Sequence, residues 1–276
     1  MHLQRWLTSI IALPLVITLI AKGGLPFVLL ICVVCVIALR EYHGIVFAET
    51  LKNSLIPFLG LLTGCLVILA ASGKRVDLIF LLFALNFLVS AMICVFKAGQ
   101  SPVSPDMMAK QIQGMIYIPL MLAFLVFLRL GESGTFWLFY LLCIIFAGDV
   151  GAYYVGSYLG KHKLIPVVSP KKTVEGALGG LLANILMGSV INYYLPSLPW
   201  GLGMPALPWV PAILFFIAAG AVGQVGDLFE SLFKRAANIK DSGKILPGHG
   251  GLLDRIDALL FAAPVAYFFK EFVAGL

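Results

Sequence analysis

"VDLIFLLFALNFLVSAMICVF", residues 76–96, carries a single charge in 21 residues, and that charge, Asp77, stands at its edge. A helix needs about 20 mostly apolar residues to cross a bilayer, so the stretch reads as a membrane span. Working outward, comparable runs lie at 5–21, 25–40, 55–72, 114–129, 134–158, 174–195, 205–230 and 254–274. The tightest connection, Lys22, Gly23 and Gly24 with Pro26 following, reads as the turn of a helical hairpin. Composition agrees with this reading. With 61% of its residues hydrophobic, 12% charged and a mean hydropathy of +1.03, the chain has too little polar surface to coat a water-soluble particle. The expected fold class is all-α: a polytopic integral membrane protein with about nine transmembrane helices.

The charges test the topology independently. With a cytoplasmic N-terminus, the amino tail and the even-numbered loops hold 14 of the 19 basic residues, and the opposite side keeps Lys22, Lys74, Arg75, Arg129 and Lys270. That asymmetry satisfies the positive-inside rule. The net charge of +6 therefore describes a basic cytoplasmic face and gives no reason to expect nucleic acid. The cysteines Cys32, Cys35, Cys65, Cys94 and Cys143 all fall inside apolar runs and read as inert buried thiols. Arg5 precedes a long apolar run with no clean small-residue cleavage site, so the first run reads as an uncleaved helix.

Acids divide the chain. Seven of the 13, namely Asp149, Glu175, Asp227, Glu230, Asp241, Asp254 and Asp257, lie between 149 and 257. A carboxylate at the centre of a membrane helix costs at least ~2.5 kcal/mol, so such residues mark pathways and sites. On this basis residues 1–130 read as N-terminal scaffold helices, and 131–276 as a transmembrane catalytic region with its site on the cytoplasmic face.

Three segments carry the acids. In "FAGDVGAYYVGSYLGKHK", 146–163, close helix packing accounts for the glycines but not for Asp149. "VSPKKTVEGALGG", 168–180, runs from a turn into a span; Thr173 can cap the helix, and Lys171 and Lys172 sit where an anion would meet its N-terminus. A cytoplasmic Lys pair also serves as a topology signal or a lipid-headgroup contact. In "GAVGQVGDLFESLFKR", 220–235, Asp227, Glu230 and Ser231 follow at i, i+3 and i+4 and share one helical face.

The third segment leads into "KRAANIKDSGKILPGHGGLLDRID", 234–257, which concentrates eight of the 32 charged side chains of a very apolar chain. It turns through "PGHGG" and re-enters the membrane with Asp254 and Asp257, three apart. Asp227, Asp254 and Asp257 supply carboxylate oxygens, with His249 the one nitrogen donor nearby. That donor set suits Mg²⁺ and argues against zinc. Lys171, Lys172, Lys234, Arg235, Lys240 and Lys244 match phosphate oxygens. Acids that hold a metal beside bases that hold phosphates are the parts of a phosphoryl or nucleotidyl transfer site; a solvated loop laced with salt bridges is the plainer alternative.

Residues 231–257 carry S-x-x-K-R, four residues, K-D, five more, then P-x-H-G-G-x-x-D-R-x-D. This pattern resembles the signature of the phosphatidate cytidylyltransferases, or CDP-diacylglycerol synthases, and every fixed position is present. "GDVGAYYVG" at 148–156, "SPKKTVEG" at 169–176 and "GDLFES" at 226–231 extend the resemblance through the C-terminal half. It implies a membrane nucleotidyltransferase of phospholipid biosynthesis that makes CDP-diacylglycerol and pyrophosphate from CTP and phosphatidate. It further implies Mg²⁺ as cofactor, a homodimer among membrane lipids, and a bacterial inner membrane with the site facing the cytoplasm. Asp227, Asp254 and Asp257 would hold Mg²⁺, with a second cation between carboxylates and phosphates left open. Lys234, Arg235 and His249 join them as catalytic candidates. Asp149, Ser169, Lys171, Lys172, Ser231, Lys240, Asp241, Lys244, Gly250, Gly251 and Arg255 form the expected substrate-binding set.

A phosphate monoester is already largely ionised at pH 7, its second pKa lying near ~6, so His249 is expected to donate a hydrogen bond to phosphate rather than to abstract a proton. Ser231 reads as a local hydrogen-bonding group, since no triad partner for it is evident. Two other classes compete. A secondary transporter would show corresponding acid and glycine signals in both halves, and the first half has none. A CTP-using polyprenol kinase shares a substrate, whereas the D-G-x-x-A-R of CDP-alcohol phosphotransferases is absent.

Overall fold

The computed structural model describes residues 2–47, 55–97, 105–194, 207–245 and 250–274, with side chains from Ile10 and Ala12 onward. His249, with Pro247 and Gly248 of the "PGHGG" turn, lies outside the described residues. Each apolar run falls on a helix: α1 (His2–Lys22), α2 (Gly24–Val46), α3 (Leu55–Ser72), α4 (Val76–Phe96), α5 (Pro105–Met115), α6 (Met121–Leu130), α7 (Gly134–Tyr158), α8 (Val174–Tyr194), α9 (Trp209–Ala236) and α10 (Leu253–Phe268). The protein is an all-α integral membrane protein. Among the described residues seven segments are long and apolar enough to cross a membrane, against the nine expected. The shortfall lies at the two ends: α10 has 16 residues, and of the 21 residues of α1 the uninterrupted stretch with described side chains is Ala12–Lys22.

Three local features depart from the sequence reading or sharpen it. The turn between α1 and α2 is the expected hairpin, and Gly23 and Gly24 both take positive φ (64° and 54°), a conformation that costs glycine little. The fifth span begins well before residue 114. Residues Pro105–Leu130 form one continuous span in which α5 passes through a π-helical turn, Ile116–Leu120, into α6. Pro119 sits in that turn, where its missing N–H removes one rung of the α-helical ladder. The polar start "PDMMAKQIQG" is helical because its Asp106–Lys110 pair (2.7 Å, i,i+4) faces outward while Met107 and Gln111 are buried. Finally, a short antiparallel hairpin separates α7 from α8. Strand β1 (Lys163–Ile165) pairs with β2 (Ser169–Thr173), Lys163 opposite Thr173 and Ile165 opposite Ser169.

The chain divides into two compact units: Met1–Phe127 with Ala236–Arg255, and Leu128–Arg235 with Ile256–Leu276. The first boundary falls close to residue 130. The polar loop after α9, however, groups with the N-terminal helices.

In the first unit α2 and α3 pack closely, and Leu39, Cys35 and Pro119 surround the position of Gly64, where a Cβ would come within 2.8–3.2 Å of them. Some polar side chains pair across helices: Tyr42 Oη lies within hydrogen-bonding distance of Lys110 O (3.0 Å) and Gln113 Oε1 (2.9 Å), and Asn86 Nδ2 donates to Thr63 Oγ1 (2.8 Å). In the second unit α7 and α8 lie against each other through small residues, as the glycines of 146–163 led us to expect. Asn184 of α8 is buried against Gly148 of α7 and Gly220 of α9, neither of which leaves room for a side chain. Trp137, Tyr140, Phe215, Phe216 and Phe269 form an aromatic core, with Phe215 and Phe269 stacked at 4.6 Å. Lys270 is 1% exposed and donates to Glu271 Oε1 (3.1 Å), so it is not the loop cation that the charge pattern suggested.

Candidate active site

The second unit gathers its charges where β2 enters α8. Thr173 closes the strand and caps the helix, its Oγ1 accepting the N–H of Gly176 (3.1 Å) as expected. Side chains alternate along a strand, so Lys171 is exposed while Lys172 is half-buried. Lys172 Nζ lies 2.5 Å from Asp227 Oδ2 of α9. Two motifs far apart in the chain therefore meet at one ion pair. Glu175 has a different task from the acids around it: it accepts the backbone N–H groups of Lys161 (3.0 Å) and His162 (3.1 Å) and pairs with His162 Nδ1 (2.5 Å), fixing the turn before β1. Ser169 is half-buried on β2.

On α9 the spacing of Asp227, Glu230, Ser231 and Lys234 puts them on one face. Lys234 Nζ donates to Glu230 Oε2 (2.6 Å), and the pair is almost fully buried, at 8% and 1% exposure. Breaking such a buried pair is costly, so Glu230 fixes Lys234 beside Asp257. Sequence reading counted it among the acids without assigning it a role, although its i,i+4 spacing to Lys234 was visible. Ser231 Oγ is 3.5 Å from Asp227 Oδ1, a long contact that agrees with a local role. Arg235 Nε donates to Val168 O (3.2 Å), tying the end of α9 to the β-hairpin turn.

Asp257 is buried at 8% exposure, and its Oδ1 accepts the N–H of Ala258 (2.8 Å). Its charged neighbours are Asp227, Lys234 and Asp149. Asp149 is exposed at the rim of a small cavity that Asn184, Gln224 and Ala258 also line. The second unit thus brings together Asp149, Asp227 and Asp257 with Lys172 and Lys234.

The first unit holds the remaining predicted residues, in the loop that follows α9. Lys240, Asp241, Lys244 and Arg255 are exposed. Asp254 organises the loop: its Oδ2 accepts Ser242 N (3.0 Å), Ser242 Oγ (3.0 Å) and Gly251 N (2.9 Å). Gly250 takes φ 82°, a conformation few other residues adopt without strain. Sequence reading missed the other organiser. Glu41 of α2, 8% exposed, accepts Leu253 N (2.7 Å), Leu252 N (3.0 Å) and Ser242 Oγ (3.2 Å). A lone Glu in "REYHG" at the end of a span carries no local mark of that contact.

Among the described residues no three Asp, Glu, His or Cys side chains converge on one point as a metal cage. Mg²⁺ does not require one, since it commonly binds through one or two carboxylates plus substrate phosphates. Asp227 and Asp257 are two neighbouring carboxylates, no His or Cys among the described residues groups with them, and they fit that mode. Asp254 gives Oδ2 to three loop donors.

Residues 3–273 match the model of a family described as the cytidylyltransferase family. The chain is 34% identical over 265 residues to a phosphatidate cytidylyltransferase of Staphylococcus aureus (strain COL), covering 95% of this chain and 96% of that protein. It is 35% identical over 270 residues to one of Staphylococcus epidermidis, with the same coverage. Against one of Bacillus subtilis (strain 168) the identity is 34% over 269 residues, covering 96% of each.

Proposed function

The chain belongs to the cytidylyltransferase family, and on that premise we propose that the acid and base cluster of its second unit is where CTP and phosphatidate react. The protein is an enzyme that makes CDP-diacylglycerol and pyrophosphate from CTP and phosphatidate. Similarity along almost the whole chain displaces the transporter and polyprenol kinase alternatives. The observation that carries the site is the Lys172–Asp227 ion pair, with Asp257, Asp149 and Lys234 in its surroundings.

A phosphate oxygen of phosphatidate attacks the α-phosphorus of CTP, and pyrophosphate leaves in line. Anion must meet anion, so the protein's main tasks are positioning and charge compensation. Lys171 and Lys172 come from β2, and Lys234 and Arg235 from the end of α9. These four cations hold the phosphates of CTP and the phosphatidate headgroup. Glu230 keeps Lys234 in place. Asp227 and Asp257 hold Mg²⁺, which when bound neutralises phosphate charge and polarises the phosphoryl oxygens. Asp227 already has Lys172 as counter-charge, so the lysine and the divalent ion are alternative partners for the same carboxylate. Asp149 contacts the metal or the nucleotide from the rim of the cavity, and His249 donates a hydrogen bond to a phosphate. The enzyme works as a homodimer in a bacterial inner membrane, with its basic face and its site toward the cytoplasm, in keeping with the 14 to 5 distribution of basic residues.

Purified protein in lipid should convert labelled CTP and phosphatidate to CDP-diacylglycerol when Mg²⁺ is supplied. Asp257→Asn should lower kcat by at least about a hundredfold, the scale on which loss of a charge-stabilising group acts, with helical content unchanged. Wild-type turnover in that variant would overturn the metal assignment. A wild type that forms no product would overturn the reaction.

A further inference from the structure

Glu41 is an acid that the reaction above does not use. It stands on α2 among scaffold helices, yet it is buried and its two oxygens take three hydrogen bonds from the far end of the sequence: Leu252 N to Oε1 (3.0 Å), and Leu253 N (2.7 Å) and Ser242 Oγ (3.2 Å) to Oε2. Leu253 is the first residue of α10. The first N–H groups of a helix have no partner within it, and a carboxylate there also meets the positive end of the helix dipole. Glu41 therefore caps α10 from another helix.

The fit around it is close. Gly251 and Gly243 pack against the Glu41 carboxylate, and a Cβ on Gly251 would lie 2.7 Å from Oε2. Ser242 links the two acids of the loop, because its Oγ lies within hydrogen-bonding distance of both Glu41 Oε2 (3.2 Å) and Asp254 Oδ2 (3.0 Å), while its N–H donates to Asp254 Oδ2 (3.0 Å). Asp254 Oδ2 also takes the N–H of Gly251. Two carboxylates and one serine thus hold the stretch from Ser242 to Asp254 at both its ends. Asp257, one helical turn beyond Leu253, follows directly.

We infer that Glu41 is a positioning residue for the transfer reaction: by holding Ser242, Leu252 and Leu253 it fixes the start of α10, the helix that carries Asp257 one turn further on. This rests on the functional reading above, in which Asp257 belongs to the transfer site. Glu41 itself touches no substrate.

The test pairs kinetics with hydrogen exchange. In Glu41→Gln one oxygen is replaced by an NH₂ that faces N–H donors, while size is kept. The amides of Leu252 and Leu253 should exchange at least about tenfold faster. Because a hydrogen bond to a charged group contributes about 1.5–3 kcal/mol, kcat/KM for CTP should fall by about ten- to a hundredfold, with the melting temperature of the helical bundle unchanged. Ser242→Ala, which removes only the bridging hydroxyl, should act in the same direction more weakly. The two losses should combine less than additively, since both variants break one network.

Protected amides with normal kinetics would overturn the inference. So would faster exchange without kinetic change, or a kinetic loss without faster exchange. If Glu41→Gln does not fold, Ser242→Ala decides by the same readouts. A wild type that makes no CDP-diacylglycerol would sink the reaction itself, whereas an active wild type with Glu41→Gln unchanged would sink this inference alone.

Discussion

Lys172 and Asp227 form the contact that joins the two halves of the transfer cluster, and their side chains are 29% and 36% exposed. An ion pair with that much solvent contributes at most about 1 kcal/mol to folding. On the proposed function, its value lies in holding a cation where phosphate arrives. Lys172→Met should therefore raise KM for CTP by about tenfold and leave the melting temperature in lipid within a degree or two. A large loss of stability with unchanged KM would show that the lysine is structural. Glu230 and Lys234 are the contrasting case, because both are buried, and breaking a buried ion pair costs far more than breaking an exposed one.

At the scale of elements, the cap of α8 places the basic strand. Thr173 ends β2 and its hydroxyl takes the Gly176 N–H, so the lysines before it are held at the start of a helix rather than in an open turn. Thr173→Ala should destabilise the protein by about 1 kcal/mol, read as a lower melting temperature, and should weaken CTP binding in parallel. Stability and CTP affinity both at wild-type values would count against this placement. The cap was legible in the sequence as Thr173 before an apolar run. The β-hairpin was not, because three strand residues in β1 and five in β2 give too short an alternation to distinguish from a turn. The early start of the fifth span escaped for a related reason: a polar, amphipathic first turn lowers the hydropathy that marks a membrane helix.

The proposed orientation in the membrane rests on the distribution of the basic residues. In a chain freed of its five native cysteines, a single Cys at Lys161 should react with a membrane-impermeant maleimide only in inverted vesicles, and a Cys at Lys74 only from the opposite side. The reverse pattern would overturn the orientation and with it the cytoplasmic site. The grouping of Ala236–Arg255 with the N-terminal helices belongs to this scale as well, since a division near residue 130 gives the loop to the catalytic region by sequence order alone.

The sequence by itself determined that this is a helical membrane protein and roughly where its spans lie, because bilayer thickness and the cost of buried charge act on each segment independently. Its signature at residues 231–257 also pointed to the family. Only the tertiary structure decided how those residues divide their work. Lys172 reaches Asp227, Lys234 reaches Glu230, Asp254 gives an oxygen to three donors of its own loop, and Glu41 supplies the loop with a carboxylate from the second helix. Such partnerships depend on which helices pack together, and no periodicity or local spacing records a hydrogen bond between residue 41 and residue 253.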